Sequence, residues 1–133
     1  MKEKDIQTVF AKKNSICGFF ELKLCKSLSI PFSSVKEHQK KALLQAQNKG
    51  IFHKINDAPI FRGQKTRFTN QKPFDCFFMQ GDAYVVICFY EPRKSKTFYY
   101  VPIDEWIKLE RREKRKSATE ALIQKAAYTV VVV

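Results

Sequence analysis

Residues 83–90, AYVVICFY, constrain this chain more than any other stretch, because no charged side chain interrupts the run. A strand with one wet face alternates apolar and polar positions, whereas a strand apolar at every position is covered on both faces. The run is therefore expected as a central strand. Other segments read as its neighbours: residues 18–24 (GFFELKL), 51–55, 73–79 (PFDCFFM) and 97–103 (TFYYVPI). Helical spacing predicts a helix over 4–13, a second closing at Gly50, a third over 104–116 and a fourth after residues 117–120 (SATE). The expected fold is α/β, a central mixed sheet of about five strands flanked by helices.

Several local expectations follow. Gln80, Gly81 and Asp82 should form a tight hairpin turn between PFDCFFM and AYVVICFY. Residues 34–37 (SVKE) and 117–120 read as capping boxes, and Asp104 as a helix N-cap. In the second helix Val35, Gln39, Ala42, Leu43 and Ala46 share one stripe and Lys36, Lys40 and Gln47 the other, so Gln39 is polar on a buried stripe. The terminal TVVVV adds to a sheet edge, packs on a neighbour or frays.

At 133 residues and 44% apolar content, with 12 Phe, the chain can form one domain over 1–133 without staples; its region 104–133 reads as basic and helical. Cys17, Cys25, Cys76 and Cys88 show no metal-ligand spacing and read as reduced, buried thiols. The 25 Lys+Arg against 13 Asp+Glu leave a net charge of +12, which points to a polyanionic partner. No stretch approaches the roughly 20 apolar residues of a membrane span, and the first residues carry charges where a secretory signal has an apolar core. The expectation is an intracellular, cytoplasmic protein that binds nucleic acid. Residues 57–72 carry Arg62, Lys65, Arg67 and Lys72 between and beside Phe61 and Phe68, and read as a DNA-contacting loop.

One strand does not fit a purely structural account. Alternation puts Phe20, Leu22 and Leu24 on one face of GFFELKL and Phe19, Glu21 and Lys23 on the other. Read alone, such an opposite-charge pair is the outer face of a half-buried strand. Read with FELK at 20–23, SIPFSSVKEHQKKALLQA at 29–46, AYVVICFY and TFYYVPIDEW, it resembles the PD-(D/E)XK nuclease superfamily, and within it the RecU-type Holliday-junction resolvases. The resemblance implies a restriction-endonuclease-like core, a homodimer, branched DNA as substrate, and a Mg²⁺ or Mn²⁺ ion.

It also implies roles. Glu21 would be a metal carboxylate, Lys23 would orient the attacking water or stabilise developing charge, and Gln39 would position water, Lys23 or a phosphate. The family's aspartate precedes its E-x-K; here the matching "PFD" supplies Asp75, after the helix, so the order is permuted. Asp75 is expected on the strand beside Glu21, where both carboxylates could share one cation. An unpermuted alternative pairs Asp75 with Glu91 and Arg93, and Asp57 is a spare carboxylate. Two other functions stay open: a non-catalytic nucleic-acid-binding module, and a repair or restriction-type nuclease.

Overall fold

The computed structural model describes residues 1–54 and 76–133. Its centre is β5 (Ala83–Phe89), buried along nearly its whole length. β5 is flanked by β1 (Phe19–Cys25), which runs parallel to it, and by the antiparallel β6 (Thr97–Pro102). β8 (Thr129–Val132) pairs antiparallel with β6 and completes a mixed sheet of order β1-β5-β6-β8. Among the described residues the central sheet thus has four strands where about five were expected. The other short segments form two separate ribbons: β2 (Ser29–Pro31) with β7 (Ser117–Thr119), and β3 (Ile51–Lys54) with β4 (Cys76–Met79).

Alternation along β5 sorts the core into two layers. Ala83, Val85 and Ile87 join Val101, Leu43, Trp106 and Ile123 on one face. Tyr84, Val86 and Cys88 join Leu22, Phe98, Ile6 and Phe10 on the other. Helix α1 (Glu3–Lys13) covers the second face through Ile6 and Phe10. The first is covered by α2 (Glu37–Asn48), α3 (Ile103–Arg112) and α4 (Glu120–Ala126). An all-apolar strand between two helical layers is what the continuous run demanded. The region 104–133 holds strands as well as helices, because the chain leaves α3 at Arg112 and pairs in β7 and β8. Of the three fates for TVVVV, the structure selects addition to a sheet edge.

Four local expectations are corrected. Gln80, Gly81 and Asp82 do not close a hairpin: β4 takes β3 as partner, and both edges of β5 are occupied by β1 and β6. The link instead ties the layers together, with Gly81 N donating to Ala46 O and Asp82 O accepting from Phe19 N at 2.9 Å. Ser34 does not cap α2; its hydroxyl donates to Pro31 O and closes a 3-10 turn over Phe32–Ser34, so the helix starts at Glu37. Asp104 lies inside α3, which follows Pro102, and its carboxylate accepts from Gln47 Nε2. Of residues 117–120, Thr119 rather than Ser117 caps α4, accepting from Leu122 N, because Ser117 is paired in β7.

Cys25 and Cys88 are buried free thiols, as read from sequence, while Cys17 is exposed. Burial pushes the Cys88 thiol above its ordinary pKa, which keeps it protonated.

Gly50 ends α2 where expected. Its φ of 80° is left-handed, and a Cβ there would overlap the Phe78 ring on β4. Gly50→Ala should therefore lose about 1–3 kcal/mol in a urea titration, the backbone strain alone accounting for about 1–2. An unchanged midpoint would show that this turn relaxes freely.

Candidate active site

Among the described residues β1 is an edge strand of the central sheet, paired with β5 alone, so a charged residue on it can keep contact with solvent. Opposite Val85 and Ile87 in the register, Glu21 and Lys23 stand on the face covered by α2, as alternation required. Lys23 Nζ lies 3.0 Å from Glu21 Oε1, with the two side chains 16% and 28% exposed. Both are half-buried, which strengthens the pair relative to a surface bridge while leaving it open to a ligand.

Gln39 enters from α2 and is bonded at both ends of its amide. Nε2 donates to Glu21 Oε1 at 2.7 Å, and Oε1 accepts from Lys36 N at 2.9 Å. One group thus satisfies a free N–H of the helix start and fixes the carboxylate of the neighbouring strand. Because each end has a partner of defined polarity, the orientation of the amide follows. The structure brings together three of the four expected catalytic residues: Glu21, Lys23 and Gln39. Gln39 is half-buried on its stripe as anticipated, but Ala42 is exposed and Lys40 is buried. Glu110 of α3 meets the Lys40 ammonium at 3.0 Å, and Glu37 pairs with it at 2.5 Å. The hydrogen bond to Glu37, aided by Glu110, holds the Lys40 pKa above the ordinary lysine value.

Asp75 lies outside the described residues, as do Asp57, Arg62, Lys65, Arg67 and Lys72. The strand that follows Asp75, β4, pairs with β3, and the hydrogen-bonded neighbour of Glu21's strand is β5. Whether Asp75 itself stands beside Glu21 lies outside the described residues; β4 runs antiparallel along β3 before the chain crosses to β5. Glu91 is in the turn between β5 and β6, ion-paired with Lys94, rather than on a strand.

Glu21 lines two cavities. One, of about 310 Å³, is bounded by Gln39, His38, Leu43, Ala46 and Ile51. The other, of about 350 Å³, brings in Glu3 and Gln7 of α1 with Phe10. Glu3 was not singled out in the sequence, although Glu3, Gln7 and Phe10 repeat at helical spacing on one stripe. Asp5, the other acidic residue of the first turn, accepts from Lys2 N at the start of α1.

Among the described residues there is no group of three His, Cys, Asp or Glu side chains placed to hold a metal ion. Glu21 offers a hard carboxylate oxygen suited to Mg²⁺, but it does not make a metal centre with the described residues alone. No helix among them is long and apolar enough to cross a membrane. No family model, curated protein or solved structure matches this chain.

Proposed function

We propose that this chain is a metal-dependent DNA endonuclease of restriction-endonuclease-like type, acting as a homodimer on branched DNA such as Holliday junctions. The observation that carries the reading is the convergence on one carboxylate oxygen, Glu21 Oε1, of a lysine two residues along its strand and a glutamine from the following helix. A merely structural salt bridge does not call for a third group that spans from a helix start to the same oxygen. The +12 charge supplies the attraction to a polyanion.

In this reading Glu21 would hold Mg²⁺ or Mn²⁺ together with Asp75, and the ion would neutralise phosphate charge and acidify the attacking water. The chain's own residues do the rest. Gln39 keeps the Glu21 carboxylate in one orientation, and its half-buried setting limits competing water. Lys23 presents a preorganised positive charge beside that carboxylate, where negative charge would develop on the phosphate oxygens as water attacks the phosphorus. Lys23 Nζ, 3.0 Å from Glu21 Oε1, would be within reach of a phosphate placed beside that carboxylate.

A second reading, a binding module whose Glu21 is structural, is favoured by the fact that Oε1 already has both partners. Incubating the protein with labelled four-way junction and linear duplex, with and without Mg²⁺, separates the two. The expected result is cleavage only with the cation and faster on the junction. DNA bound but intact at every Mg²⁺ and Mn²⁺ concentration would leave the binding module; equal rates on linear duplex would shift the substrate to repair or restriction-type DNA.

A further inference from the structure

A cleft of about 570 Å³ opens between the first turn of α2 and the segment that follows α3. Phe32 and Val35 form its buried apolar base. Three carboxylates line it, and each has a cation: Glu37 and Glu110 hold Lys40, and Glu113 lies 3.7 Å from Arg112. The rim is different. Lys36, Lys114, Arg115 and Lys116 are exposed and have no ion partner among the described residues.

The basic run is not a loose tail. Glu113 N donates to Leu109 O at 3.0 Å, Phe32 N donates to Lys116 O at 3.0 Å, and Ser117 then enters β7 opposite Pro31. The strap is thus pinned at both ends, which holds its like charges close together at a cost in repulsion that a bound polyanion would relieve. Its cations come from two segments along an open rim. They do not converge on a single buried point as a site for one small anion would, and the buried cation in the cleft, Lys40, is already neutralised.

The cleft also adjoins the candidate catalytic groups. Lys36 N donates to Gln39, whose other end donates to Glu21, so the cleft and the carboxylate flank the same turn of helix. We propose that this cleft binds the DNA backbone next to the scissile phosphate, with Lys36, Lys114, Arg115 and Lys116 neutralising consecutive phosphates. The inference rests on the reading of the chain as a DNA-cleaving enzyme and adds the path of the strand away from the cut.

The test is a salt titration of binding to a labelled four-way junction without divalent cation, comparing wild type with the triple variant Lys114→Gln, Arg115→Gln, Lys116→Gln. Each phosphate contact contributes about 0.9 to the log-log slope, so the slope should shrink by about three units and affinity at about 100 mM salt should fall at least about tenfold. All three side chains are exposed, and the urea midpoint should match wild type. Lys36→Gln, on the other segment, should shrink the slope by about one unit more. If the triple variant fails to fold, Lys36→Gln alone decides. Slopes equal to wild type in folded variants would overturn the cleft assignment, even where the wild type cuts DNA. Reduced slopes with a wild type that never cuts would keep the cleft as a DNA surface and remove the nuclease. A wild type that does not bind DNA at all would sink both.

Discussion

Glu21→Gln is expected to leave the protein folded and bound to DNA while lowering Mg²⁺-dependent cleavage by about 10³-fold or more, the scale on which a preorganised catalytic group is lost. The change is nearly isosteric and removes only the charge. Gln39 Nε2 can still donate to the new amide oxygen, so the link from β1 to α2 survives. What disappears is the ion pair with Lys23, and with side chains only 16% and 28% exposed its loss should cost about 1–3 kcal/mol, a part of a typical total of about 5–15. Binding should change little, because many other Lys and Arg contacts to phosphate remain in a chain of net charge +12. Gln39→Leu gives a graded comparison: it removes the group that orients the carboxylate and should cost about 10–100-fold, as for outer partners of ligating side chains. Single-turnover cleavage, anisotropy and urea midpoints measured on the same samples separate chemistry from binding and folding. Full turnover by folded Glu21→Gln would end the nuclease assignment at this motif.

That three of the expected residues meet was legible in the sequence because each depended on one periodicity. Alternation fixed the face of Glu21 and Lys23 on β1, and helical spacing placed Gln39 on the side of α2 that turns toward the sheet. The burial of β5 on both faces followed in the same way from its unbroken apolar run. Periodicity specifies faces, however, and says nothing about neighbours. A strand of period two can pair with any edge that offers its backbone groups, so β4 could be assigned to β5 or to β3 with equal local support. The parallel pairing of β1 with β5 needs a long crossover, which leaves no local signature. Hence the hairpin expected between β4 and β5 failed at the level of sheet order, not of strand identity.

The capping errors have a similar origin. Ser34 and Glu37 match the pattern of a capping box, whereas Lys36 and Gln39 supply only its second half, the glutamine accepting from the Lys36 N–H, and tertiary context decides between the two registers. The 3-10 turn over Phe32–Ser34, held by Phe32 N donating to Lys116 O, displaces the N-cap from Ser34 to Lys36 and gives Gln39 the third-position role. Lys40 was assigned to solvent because charge normally faces outward. Its long apolar stem can cover core surface while the ammonium reaches Glu110, a partner seventy residues away in sequence.

Trp106→Ala is the substitution expected to cost the most stability, about 3–5 kcal/mol against a typical total of about 5–15. The indole is fully buried on α3 among residues of the face that carries α2, and its ring packs edge-on to Phe32 with centroids 5.4 Å apart. Alanine would leave a cavity beneath the turn that leads into α2, and rigid sheet on one side and helix on the other limit its collapse. One term works in the opposite direction. Nε1 of Trp106 is buried without a hydrogen-bond partner among the described residues, so the wild type already bears the desolvation of that N–H, a penalty of about 1–3 kcal/mol. Trp106→Phe removes the orphan donor while keeping an aromatic ring against Phe32, and should therefore cost less than about 1.5 kcal/mol. Urea titrations of both variants check the contrast between them, which is more telling than either value. An alanine variant within about 1 kcal/mol of wild type would mean that the helices close over the gap. Since Phe32 precedes the turn that sets Lys36 and Gln39, the alanine variant should also cleave more slowly than the phenylalanine variant under conditions where both are folded.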